Sequence, residues 1–154
     1  MSEQIVETVE SETEMEALGA RLAHAVLRGG VIGLHGNLGA GKTTLSRGFL
    51  HGLGHKGAVK SPTFTVVEPY ELQSRSVFHF DLYRIADPEE LSYIGLEDYF
   101  FETAICLIEW PEKGKGVLPT LDVTCDIEIA GDQRRVTIDS HTALGDTIIN
   151  HAKT

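Results

Sequence analysis

The sequence predicts an α/β fold: a mostly parallel central sheet between two outer layers, with an antiparallel hairpin towards the C-terminus. Three observations carry that expectation. Gly36-Asn37-Leu38-Gly39-Ala40-Gly41-Lys42-Thr43 fits G-x-x-x-x-G-K-[ST]. An apolar run precedes it and an amphipathic stretch follows, giving the strand, glycine loop and helix of a phosphate-cradling P-loop. Val77-Phe78-His79-Phe80-Asp81 and Ala104-Ile105-Cys106-Leu107-Ile108-Glu109 are two more apolar strands, each ending in a carboxylate. Residues 121–129 and 135–139 alternate apolar and polar across the turn Ala130-Gly131-Asp132-Gln133, the pattern of a half-exposed hairpin. The expected architecture is a P-loop NTPase three-layer sandwich forming a single domain over residues 1–154.

Taken in order, residues 5–9 are an edge strand. Ser11 with Glu14 three residues on makes a capping box, and Met15, Leu18, Leu22, Ala25 and Val26 then recur at helical spacing. Arg28-Gly29-Gly30 ends that helix with a cationic last turn and a C′ glycine. The P-loop strand spans 31–35, and 44–53 is the helix after the loop, with Leu45, Phe49, Leu50 and Leu53 along one side. Gly52, Gly54 and Gly57 mark a loose connection. With Arg47, His51, His55, Lys56 and Lys60 it forms a basic patch, either a solvated face or a docking surface for a partner or RNA phosphates. Ser61-Pro62-Thr63-Phe64-Thr65 leads into a strand at 66–68. Asp87-Pro88-Glu89-Glu90 supplies an N-cap, a proline at N1 and acids in the first turn, so a helix is expected to Phe101, interrupted at Gly95. That segment carries Tyr93, Tyr99, Phe100 and Phe101, divided between core packing and a partner-facing surface. Trp110-Pro111-Glu112 opens a Gly/Lys loop to Pro119, and the tail from Thr142 reads weakly as helix.

Thirteen Lys and Arg against twenty-three Asp and Glu leave a formal charge of −10 over 154 residues, which argues against a free-standing nucleic-acid binder. The two cysteines, Cys106 and Cys125, lie in apolar strands and are expected to be buried, reduced thiols in a cytoplasmic protein. No apolar run approaches a membrane span, and residues 1–16 lack the basic start and apolar centre of a signal peptide.

The residue types at the loop each have a task. The glycines let successive backbone N–H groups point into one concavity, Lys42 adds a charge at the β/γ-phosphates, and the Thr43 hydroxyl can hold Mg²⁺. The following helix directs its N-terminal amides and dipole at the same anion. Asp81 and Glu109, at the ends of parallel strands, lie beside the loop. Either can bind Mg²⁺ or orient the attacking water, and spacing does not decide between them. Thr63 or Thr65 can sense Mg²⁺ or the γ-phosphate, or can be ordinary strand-edge threonines. His79 shares a face with Asp81 and is expected to be a hydrogen-bonded structural histidine. Trp110 is a candidate to close over nucleotide or to pack in the core.

Together, G-N-L-G-A-G-K-T-T at 36–44, S-P-T-F-T at 61–65, H-F-D-L-Y-R at 79–84 and I-E-W-P-E at 108–112 resemble the TsaE (YjeE) family over nearly the whole chain. Its members are bacterial ATPases of tRNA threonylcarbamoyladenosine synthesis. The resemblance implies a compact domain that binds ATP with Mg²⁺, hydrolyses it slowly and works with TsaB and TsaD. In that system TsaD modifies the adenosine beside the anticodon, and tRNA is reached through the complex. It further implies that Thr43 and Glu109 hold the metal and that Lys42, Asp81 and Glu109 form the catalytic set, with Asp81 the catalytic carboxylate. Nucleotide contacts fall, on the same basis, to Asn37, Leu38, Gly39, Ala40, Gly41, Lys42, Thr43 and Thr44, with Thr63, Thr65 and Glu112.

An arginine finger is not evident. Arg84, Arg134 and Arg135 are candidates, and a partner is another source, so turnover by the chain alone should be slow. A small-molecule kinase is the rival enzyme class, although it needs a second substrate site and a cationic lid. A GTPase is disfavoured because no N-K-x-D follows the acidic strands. The non-enzymatic alternative is a nucleotide-dependent assembly factor in which hydrolysis only resets the docking state.

Overall fold

The computed structural model describes residues 3–153; positions 1 and 2 of the acidic stretch 1–16, and position 154 of the expected domain, lie outside the described residues. The chain runs through β1 (Gln4–Val9), α1 (Glu12–Ala25), β2 (Gly30–His35), α2 (Lys42–Gly52), β3 (Val67–Leu72), β4 (Arg75–Asp81), β5 (Ile105–Glu109), β6 (Val123–Ala130), β7 (Gln133–Ser140) and α3 (Ala143–Ala152). The strands form one seven-stranded sheet in the order β1-β7-β6-β2-β5-β4-β3. Its centre, β6-β2-β5-β4, is parallel, and antiparallel pairings close both edges.

Local chemistry sets the helix starts. The Ser11 hydroxyl accepts the Glu14 N–H at 3.1 Å, and the Glu14 carboxylate reaches back to the Glu10 N–H, one residue before the cap. Thr142 caps α3 in the same way through the Gly145 N–H, which makes a firm helix of a segment whose sequence reads weakly. α1 and α2 cross with their backbones almost in contact. A Cβ built on Gly48 would lie 2.1 Å from the Glu16 carbonyl oxygen, and one on Gly19 would lie 2.2 Å from that of Leu45.

The strand alternation divides the interior. Ile32, Leu34, Val77, Ile105 and Leu107 face α1, α2 and α3, while Phe80, Cys106 and Ile108 face the connection that carries Leu82, Leu91 and Leu96. Cys106 and Cys125 are free and buried, and burial pushes both thiols up to about 12. None of the described helices is long and apolar enough to cross a membrane.

One expectation is corrected. The segment 87–101 is not α-helix but two 3₁₀ stretches, Pro88–Ile94 and Leu96–Tyr99, separated by Gly95 at φ 69°. Each is too short to gain much from α-helical propagation, and a left-handed residue lies between them. Of its aromatic side chains, Tyr99 and Phe100 pack on Phe78 and Phe80, whereas Tyr93 is 90% exposed. The strands near 66–68 and 77–81 are the arms of one hairpin, β3 and β4. They are joined by Gln73 and Ser74 at φ 53° and 63°. Gln-Ser is not one of the glycine or asparagine pairs that mark such a turn, and Pro69 is tolerated because β3 is an edge strand.

Candidate functional site

The sheet register brings the site together. Glu109 ends β5 opposite Leu34 of β2 on one side and Asp81 of β4 on the other. The loop leaving β2 therefore passes over two carboxylates on neighbouring strands, about 5 Å apart in the hydrogen-bonding direction. This lies at the C-terminal edge of the parallel strands, where β2 has β5 on one side and β6 on the other, the usual place for a ligand in such sheets.

Within the loop, Gly36, Gly39 and Gly41 all adopt positive φ, and a Cβ on Gly36 would lie 2.9 Å from the Ile127 carbonyl oxygen. Helix α2 begins at Lys42, two residues earlier than its apolar spacing indicates, so its first amides belong to the loop. The Lys42 ammonium donates to the carbonyls of Gly36 and Asn37 and lies 4.3 Å from the centre of the Trp110 ring. Trp110 reaches that position because it leaves β5 in the left-handed region, at φ 60°. Tyr83 packs on the other aromatic flank, 5.0 Å between ring centres. Lys42 is 5% exposed, and burial lowers its pKa against the opposing pull of Glu109, Glu112 and Asp81.

The Thr43 hydroxyl donates to Glu109 Oε1 at 3.1 Å, and Glu109 Oε2 lies 2.6 Å from His79 Nε2. Asp81 is held separately: Oδ2 accepts the Thr63 hydroxyl at 2.9 Å and Oδ1 accepts the Tyr83 N–H. Lys42, Thr43, Thr63, Asp81, Glu109 and Trp110 together line a cleft of about 370 Å³, shared with Leu38, Gly39, Gly41, Thr44 and Glu12. Two buried carboxylates facing one lysine would repel a polyphosphate unless a divalent cation came with it. Among the described residues no group of three or more His, Cys, Asp or Glu could hold a metal ion. The donors present, one hydroxyl and one carboxylate, instead fit Mg²⁺, which takes one or two protein oxygens and fills its remaining positions with phosphate and water.

Not every expected residue joins the cleft. Thr65 is exposed and its hydroxyl donates to Glu68. Glu112 pairs with His35, 3.2 Å from Nδ1. Asn37 contributes its carbonyl to Lys42, while Ala40 lines a second cavity, of about 260 Å³, on the other side of the loop with Val9, Met15 and Thr44. Of the arginine candidates, Arg134 donates to the Ala40 carbonyl at 3.0 Å from outside the loop, Arg135 pairs with Glu128 and Arg84 lies over the Phe64 ring. In the basic patch, Arg47 pairs with Glu16, and His51 and His55 meet the carbonyls of Gly57 and Ala58.

Ser46 and Tyr83 also take part in the site. Ser46 is fully buried, and its hydroxyl donates to the Lys42 carbonyl and lies 3.5 Å from Glu109. Its place three residues after Thr43 on one helix face is a signal that could have found it. Tyr83 stands within the H-F-D-L-Y-R motif at 79–84, and that motif is the signal that could have found it.

Fold and site together define an α/β protein of P-loop NTPase architecture, with the loop set against two acidic strand ends. Residues 9–137 match the family model described as threonylcarbamoyl adenosine biosynthesis protein TsaE. The chain is 45% identical over 153 residues to the Haemophilus influenzae tRNA threonylcarbamoyladenosine biosynthesis protein TsaE, covering 96% of this chain and 97% of that one. The Bacillus subtilis protein of the same name is 39% identical over 122 residues, covering 79% and 76%. The crystal structure of Bacillus subtilis YdiB superposes with a TM-score of 0.83 at 30% identity, covering 99% of this chain and 96% of that one. The chain belongs to the TsaE family.

Proposed function

We propose that this chain acts in tRNA threonylcarbamoyladenosine biosynthesis as an ATP-binding, slowly ATP-hydrolysing component working with TsaB and TsaD. The role in the pathway is supported by the family and by the names of its relatives. The nucleotide chemistry rests on one observation above all: the Thr43 hydroxyl, the Glu109 carboxylate, Lys42 and Asp81 converge on a single cleft at the P-loop.

The loop amides and Lys42 bind the phosphates, and Thr43 with Glu109 would hold Mg²⁺. When bound, that ion supplies charge neutralisation on the β- and γ-oxygens. Lys42 exchanges its carbonyl partners for phosphate oxygens, which are stronger acceptors in the same low-dielectric pocket. Asp81, kept in place by Thr63 and the Tyr83 N–H, orients the attacking water in line with the leaving group. The cavity beyond Ala40 and Thr44 gives the nucleoside a partly apolar place next to the phosphates.

Trp110, the sole tryptophan, lines the cleft, so its fluorescence reports nucleotide binding. With TsaB and TsaD present, Asp81→Ala is expected to lower ATP turnover on the order of 100-fold, as removal of a positioned base does. Nucleotide affinity read from Trp110 should stay within about threefold, because the phosphates are held elsewhere. Turnover equal to that of the native protein would remove Asp81 from its role.

A further inference from the structure

His79 stands within β4 with no exposed surface, and Nε2 of its ring lies 2.6 Å from Glu109 Oε2. The other ring nitrogen, Nδ1, is buried and has no hydrogen-bond partner among the described residues. A hydrogen on Nδ1 would be a buried donor with no acceptor among the described residues, a costly arrangement. The surroundings therefore assign the tautomer that carries its hydrogen on Nε2 and donates it to Glu109. Its neighbours on the same sheet face, Val77 and Leu107, are fully buried apolar residues. A leucine would fill that place without burying any polar nitrogen. What a leucine lacks is the donor.

The shortest contact of Glu109 Oε2 is thus the imidazole, at 2.6 Å, with the Thr43 and Ser46 hydroxyls farther off at 3.4 and 3.5 Å, while Oε1 lies nearer the Thr43 hydroxyl, at 3.1 Å. Without His79 the carboxylate could rotate about its terminal torsion and present either oxygen, or neither, to a metal at Thr43. We propose that His79 is the positioning residue of the metal-holding carboxylate: it holds Oε2 so that Oε1 stays turned towards the Thr43 hydroxyl, where the two would hold the cation. The inference rests on the proposed role of Glu109. His79 touches no reacting atom, and it acts as the partners behind metal ligands do elsewhere, where their loss weakens metal binding 10- to 100-fold.

The test is the affinity of the protein–ADP complex for Mn²⁺, read by electron paramagnetic resonance, with ADP affinity in EDTA read separately from Trp110 fluorescence. His79→Leu is expected to weaken Mn²⁺ binding by about tenfold or more while metal-free ADP affinity changes by less than about twofold. His79→Gln, whose side-chain amide can donate along the same line, should bring Mn²⁺ affinity back to within about threefold of native. Native-like Mn²⁺ binding in His79→Leu, or a glutamine variant no better than the leucine one, would overturn the proposal. Should the leucine variant fail to fold, His79→Met, which also lacks a donor, takes its place against the glutamine variant: a loss of Mn²⁺ affinity of about tenfold supports the proposal, and native-like affinity overturns it. Native protein that binds ADP but retains no Mn²⁺ would overturn the metal role of Glu109, and that of His79 with it. Native retention with no effect at His79 would overturn the present inference alone.

Discussion

Lys42 concentrates the electrostatics of the site in one side chain. Burial lowers its pKa more than Glu109, Glu112 and Asp81 raise it. In the proposed function the charged form is the one that meets phosphate, so affinity should be full at neutral pH. It should then fall on the alkaline side, beginning below the ordinary lysine value of 10.5. For folding the sign is reversed. Between the lowered value and the ordinary one the unfolded chain holds the extra proton, so the stability of the free protein rises with pH across that window. Titrating ADP binding through Trp110 checks the first statement, and affinity that stays flat to pH 10.5 would contradict it. Lys42 and Thr43 are legible in the sequence because one motif names them. The pairing of Glu112 with His35 is not, because residues 77 positions apart meet only through the adjacency of β2 and β5.

At the scale of elements, the crossing of α1 and α2 sets the height of the P-loop helix over the sheet. Gly48→Ala would place a methyl 2.1 Å from the Glu16 carbonyl oxygen, a backbone atom that cannot swing aside. Overpacking of this kind should cost about 3 kcal/mol and lower the midpoint of thermal unfolding by several degrees. An unchanged midpoint would show that the helices separate freely. The sequence displays the apolar stripes of both helices, but not this approach, since a glycine within a helix shows nothing of the partner opposite it. The same limit explains the β3–β4 hairpin. Its strands read correctly as strands, yet the Gln73-Ser74 turn depends on left-handed residues that carry no glycine signal. The two carboxylate-ending strands were legible because burial in a parallel sheet leaves a continuous apolar run, in which a terminal acid stands out.

For the whole molecule, the excess of ten negative charges opposes tRNA, and Arg47, His51 and His55 of the basic patch are engaged within the fold. At physiological salt the chain alone should show no saturable tRNA binding below about 100 µM, at the weak end of non-specific association. A filter-binding or anisotropy titration checks this, and tight binding by the isolated chain would mean that a cationic surface is presented after all. On the proposed function, nucleotide turnover coupled to partners is the means by which such a chain serves tRNA modification. The most direct test is ATP hydrolysis by the purified protein, alone and with TsaB and TsaD, with Lys42→Ala as the blank. The account predicts slow turnover alone, stimulation by the two partners and loss of both in the blank. Turnover indifferent to the partners and dependent on a phosphoryl acceptor would contradict it and make the chain a kinase.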